Sequence, residues 1–106
     1  MAVDEATLDR VRRVLAGCPG VEEKRMVGGR SFGVGGRLAC GVNAGGLVVR
    51  VGADGAHAAL AEPHVSPLRM GGRTADAFVV VAPAGYPDDA ALLCWIERGF
   101  AAAGGP

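Results

Sequence analysis

The sequence predicts an α+β fold: one domain over residues 1–106, with an antiparallel β-meander of about five strands flanked by N-terminal, short middle and C-terminal helices. Three observations predict it. Apolar residues recur at helical spacing near both ends of the chain. Between them the period changes to two, as in Leu38, Cys40 and Val42 and again in Leu47, Val49 and Val51. Glycine pairs at Gly35-Gly36 and Gly45-Gly46 punctuate these bursts, as hairpin turns require.

Asp4 to Ala16 reads as the first helix, with Leu8, Val11 and Leu15 on one face and Val14 widening the stripe. Asp4 suits the N-cap, Glu5 the positive end of the helix dipole, and Arg12 and Arg13 its negative end. Gly17 and then Pro19-Gly20 stop it. From Val21 to Gly52 the alternation gives about four strands, beginning with the one that carries Met26; Gly33 and Gly41 mark bulges or close packing. Asp54 is read as the cap of a short alanine-rich helix that runs to about Ala61 and ends before Pro63. His64 to Thr74 reads as a loop, with Pro67, Gly71 and Gly72 within it. Phe78 to Ala82, apolar on both faces, reads as a strand inside the sheet. Pro87-Asp88-Asp89 starts the last helix, whose stripe is Leu92, Ile96, Phe100 and Ala103, broadened by Leu93 and Trp95. Gly99 within that stripe allows a close helix–sheet approach, and Gly104-Gly105-Pro106 is a frayed end.

Half of the residues are hydrophobic but only 5% are aromatic, so the core is built from small and β-branched side chains around Phe32, Phe78, Trp95 and Phe100. The formal net charge is zero. Binding to nucleic acid draws on an excess of positive charge to release counterions, so direct nucleic-acid binding is disfavoured. The cysteines Cys18, Cys40 and Cys94 form no Cys-x-x-Cys, which points to reduced thiols, with Cys40 and Cys94 packed as small hydrophobes. The N-terminus has no basic-then-apolar signal segment, and the longest run without polar side chains, Ala77 to Gly85, is too short to span a bilayer. The expectation is a cytoplasmic protein that does not enter a membrane.

Little in the chain carries recognisable chemistry. The glycines from Gly28 to Gly36 do not form a phosphate loop, because the only lysine, Lys24, lies upstream of them. Nor do they form a dinucleotide fingerprint, because Leu38 stands at the third glycine position. His57 and His64 lack ligand spacing to each other or to the cysteines, so no metal and no cofactor is expected. Ser31, Ser66, Thr7 and Thr74 sit in no nucleophile motif. Arginine is the one functional type in surplus, ten of the eleven basic residues. Arg50 alternates with Val49 and Val51; its structural reading is a cross-sheet ion pair with Glu23 or an edge position, and its functional reading is a grip on a carboxylate or phosphate.

One layout is specific enough to suggest a family. Lys24-Arg25-Met26, Gly28-Gly29, Gly36, Leu47, Arg50, Gly72-Arg73 and Trp95, in this order from about Leu8 to Phe100, resemble the TfoX N-terminal domain family, named for bacterial competence regulators. Val27 departs from the usual phenylalanine of Met-Phe-Gly-Gly, and Phe78 stands where an aromatic, often tryptophan, is common. The resemblance implies a curved antiparallel sheet with flanking helices, similar to secretion-chaperone-like folds, and no catalytic residues. The competence regulators have a second, C-terminal domain, and a chain that stops at Pro106 is expected to lack it.

The functional expectation is therefore a non-enzymatic regulatory or protein-interaction domain, acting through its sheet face or as a homodimer with an unknown protein partner. The alternative is a small anionic-ligand-binding protein, or an uncharacterised enzyme, with an arginine-lined pocket formed by Arg25, Met26, Gly28, Gly29, Arg50 and Arg73.

Overall fold

A computed structural model describes residues 3–26 and 28–104. Helix α1 spans Glu5–Leu15, and the Asp4 carboxylate accepts from the Thr7 backbone N–H at 3.4 Å, the N-cap that the sequence predicts. Four strands follow: β1 Glu22–Met26, β2 Gly29–Val34, β3 Arg37–Asn43 and β4 Gly46–Arg50. Helix α2, Gly52–Leu60, then carries the chain to β5, Val65–Met70, which turns back into β6, Arg73–Val81. A short 3-10 turn, Pro83–Gly85, leads into α3, Asp89–Gly104. The Asp88 carboxylate accepts from the Ala91 N–H at 2.9 Å and caps this last helix. Gly104 is thus helical, while Gly105 and Pro106 of the expected frayed end lie outside the described residues.

The strands form one sheet in the order β1-β2-β3-β4-β6-β5, with every neighbouring pair antiparallel. The expected meander is therefore its first four strands, and β6 inserts between β4 and β5. The segment His64–Thr74, expected as a loop, instead holds β5 and the start of β6. Pro67 masks this strand in the sequence, yet on an outermost strand its missing N–H breaks no ladder. Gly71 and Gly72, with φ of 58° and 82°, make the two-residue turn of that hairpin. Helix α2 also begins earlier than expected, at Gly52, with Val51 in the cap position and no side-chain cap; Asp54 lies in its first turn instead.

One face of the sheet holds the core. Phe32, Cys40, Val42, Leu47, Val49, Val79 and Val81 face each other across β2, β3, β4 and β6 and are buried. Helix α3 covers β2 to β4 with Leu92, Trp95 and Ile96, α1 adds Leu8, Val11 and Leu15, and α2 adds Ala59 over β6. Full burial of a side chain of this size contributes about 1.5–3 kcal/mol relative to exposure. Behind α1, the hydroxyls of Thr7 and Tyr86 lie 2.9 Å apart, and Thr7 also donates to the Asp4 carboxylate. This chain of hydrogen bonds satisfies the fully buried Tyr86 and ties α1 to the start of α3.

The register contains one irregularity that organises the packing. Phe32 faces Cys40 but Gly33 faces Leu38, so Ala39 is an extra residue in β3. At this bulge α3 comes down onto the sheet, and a Cβ on Gly99 would overlap the Ala39 carbonyl. The close approach expected of Gly99 is thus met. Two side chains of α3 differ from expectation: Leu93 is 41% exposed, and Cys94 is exposed because Trp95 and Ile96 take the inward positions beside it.

Gly99→Ala is expected to cost about 1–3 kcal/mol through overpacking against backbone that has no room to yield. A lowered urea midpoint checks this, with Gly104→Ala, which meets no neighbour, as the unaffected control. The thiols give a second test. Burial pushes Cys40 up to about 12, whereas Cys18 and Cys94 are exposed. A disulfide reagent at pH 8 is expected to modify Cys18 and Cys94 in the native protein and Cys40 only after denaturation.

Candidate functional site

The expected ligand-binding residues divide between the two faces and the two ends of the sheet. Arg25 faces Arg30, which in turn faces the core residue Val42, so Arg25 stands on the helix side. Arg50 follows core residue Val49 and therefore stands on the opposite, open face, at the other end of the strands. Arg73 begins β6 at the hairpin turn, facing Met70, and is exposed. The sheet itself separates Arg25 from Arg50.

The expected pairing of Arg50 with Glu23 does not form, because strand parity puts Glu23 on the helix face opposite Phe32. There Glu23 joins two other arginines, at 2.6 Å from Arg12 Nη2 and 2.8 Å from Arg30 Nε. This cluster fastens α1 to the outermost strand pair. The hydrogen bond from Arg12 holds the Glu23 carboxyl below its ordinary range against the opposing effect of burial, and Arg30 adds to it. Arg50 instead donates from Nε to the Leu38 carbonyl and stacks its guanidinium 4.7 Å from the centre of the Phe78 ring. Partial burial pulls its pKa below the usual arginine value, and the neighbouring charge of Arg37 pulls it further.

Met26, Gly28 and Gly29 remain together at the far end of β1 and β2, and each has a structural reason. Met26 lies on the open face with its methyl group over Gly41; a Cβ on Gly41 would stand 3.0 Å from that methyl. Beside Gly41 on the same face, Val48 is fully buried. Gly28 has φ of 77°, a left-handed turn conformation with open space around it. Gly29 permits the backbone of β2 to pass close to the Val42 carbonyl. Val27, the position that departs from the family pattern, lies outside the described residues. Met26 also lines a groove of about 340 Å³ with Leu68 and Met70, so the β5–β6 hairpin curls across the open face towards β1.

A more apolar groove, of about 280 Å³, was not foreseen. It lies between the end of α1 and α3, lined by Leu15, Val21, Val34, Leu93, Ile96 and Phe100, with Glu97 as its acidic rim. In the sequence Leu93 and Phe100 merge into the core stripe of α3. Their seven-residue spacing, offset from Leu92 and Trp95, is the signal that could have separated them. His57 and His64 are exposed, and no group of three or more metal-ligating side chains occurs among the described residues. No helix of the described residues is long and apolar enough to cross a membrane.

The Glu23 cluster predicts a pH dependence. A carboxyl held below its ordinary value of 4.5 stabilises the fold above that value and loses this contribution as pH falls through the folded-state value. Glu23→Gln is therefore expected to lower the urea midpoint at pH 7, with its difference from wild type shrinking towards pH 3. An undiminished difference at pH 3 would refute the electrostatic account.

The family model described as TfoX N-terminal domain matches residues 13–103 of the chain. No curated protein and no solved structure matches significantly.

Proposed function

The chain belongs to the TfoX N-terminal domain family, and on that premise we propose that it is a non-enzymatic regulatory domain that binds a partner protein through the groove between α1 and α3. The exposure of Leu93 beside an apolar groove carries this reading. A soluble domain gains nothing by leaving such a side chain at the mouth of an open apolar channel, whereas a partner that fills it removes that surface from water. The occupant that fits is an amphipathic helix, with apolar side chains on one face and a lysine or arginine beside them. That basic residue meets Glu97, which forms no ion pair among the described residues.

The outermost strands support a groove over strand addition. β1 presents Glu22, Glu23, Lys24 and Arg25, and β5 contains Pro67, both features that discourage pairing with a further strand.

A photo-crosslinking amino acid at position 93 is expected to capture a partner that one at exposed Asp54 does not. The captured protein, once purified, should bind Leu93→Asp at least tenfold more weakly than wild type. Equal affinity for both forms would overturn the reading. A crosslink to a second copy, with a dimer in sedimentation that Leu93→Asp dissolves, would replace it with self-association through the same groove.

A further inference from the structure

The hairpin of β5 and β6 builds a second groove, on the open face of the sheet. Between the pairs Pro67–Val79 and Arg69–Thr74, β5 advances two residues while β6 advances five, so the ladder is interrupted and the end of the hairpin bends. The bend leaves Leu68 buried and places it in one groove with Met26. Their strands, β5 and β1, are the two edges of the sheet, so a groove that both of them line spans the open face.

Its lining divides into an apolar wall and a pair of polar groups. Met26, Leu68 and Met70 form the wall, and Met70 is 48% exposed. Thioethers on unbranched side chains adapt to the shape of an occupant and make favourable contacts with aromatic rings. Asn43 and Arg69 are the polar groups. The Asn43 Oδ1 accepts from the Gly45 N–H at 2.8 Å, which leaves its Nδ2 donors free among the described residues. Arg69 forms no ion pair among the described residues, and no carboxylate is among those that line the groove. The polar groups on offer are therefore donors, and one of them is a cation. The volume, about 340 Å³, lies near the small end of the range for small-molecule sites. It suits a compact ligand rather than a long acyl chain.

We propose that this groove binds a compact aromatic carboxylate. The ring lies against Met26, Leu68 and Met70, and the carboxylate accepts from the Arg69 guanidinium and the Asn43 amide. Arg69 thus takes the anion-binding role that the sequence suggests for Arg25, Arg50 and Arg73, none of which lines the groove. The ligand is recognised by both of its halves, since a small inorganic anion has nothing to place against two methionines. No residue lines both this groove and the one between α1 and α3, so the two sites are independent.

Titration of the protein, labelled in its methionine and leucine methyl groups, with cinnamate at constant ionic strength tests this by NMR. Saturable ring-current shifts are expected at Met26, Leu68 and Met70, and none at Leu93 in the groove between α1 and α3. Cinnamamide keeps the ring and loses the charge, and should bind about tenfold more weakly. Acetate keeps the charge and loses the ring, and should be weakened at least as much. Arg69→Gln is expected to weaken cinnamate about tenfold and to leave cinnamamide unchanged, whereas Arg25→Gln alters neither. Both arginines are exposed, and an unchanged amide spectrum away from the hairpin verifies the fold of the Arg69 variant. The proposal is overturned if cinnamate gives no saturable shift at Met26 and Met70, or if it shifts Leu93 equally. It is also overturned if cinnamamide binds as tightly as the acid, or if Arg69→Gln binds cinnamate as wild type does.

Discussion

Where α3 crosses β3, Gly99 rests against the carbonyl of Ala39, the extra residue of the β-bulge. Helix and sheet backbones approach there without a side chain between them. With that contact made, Leu92, Trp95 and Ile96 enter the core, and Leu93 is left facing the groove beside α1. The same extra residue resets the parity of β3. Leu38 turns to the open face opposite Gly33, and its carbonyl meets Arg50. One irregularity in strand pairing thus sets both the closest helix–sheet contact and the carbonyl that Arg50 meets.

Much of the architecture is legible in the sequence because its signals are local. Asp4 and Asp88 announce helix starts by a side-chain geometry that needs only the next three residues. The alternation through β3 and β4 is equally self-contained. Gly99 is legible for another reason: a glycine inside a helical stripe loses stability unless packing compensates. Strand β5 is not legible, because Pro67 reads as a breaker until the chain's outermost position in the sheet is known. Arg50 is half legible. Its isolation among valines signals a special role, but its partners, the Leu38 carbonyl and the Phe78 ring, come from strands whose pairing with β4 is not written in the local pattern. The bulge beside Leu38, by contrast, falls at Gly33, a glycine that marks it.

The Met26-Val27-Gly28-Gly29 run shows how a family signature and a binding motif can be confused. Gly28 supplies a left-handed turn, Gly29 a close passage of backbone, and Met26 a flexible side chain over the bare surface of Gly41. Met26, Gly28 and Gly29 each have a geometric reason within the fold. At the other end of the strands Arg50 is likewise held within the fold, by the Leu38 carbonyl and the Phe78 ring.

The hydrogen-bonded chain from Asp4 through Thr7 to Tyr86 has a consequence for what counts as the domain. Sequence similarity to the family begins at residue 13, beyond most of α1. Yet Leu8 and Val11 belong to the core, and Thr7 is the partner of a buried phenol. A chain trimmed to the region of similarity would strip the roof from Tyr86 and admit water to the interior. The packed core therefore extends beyond the stretch that the family model matches.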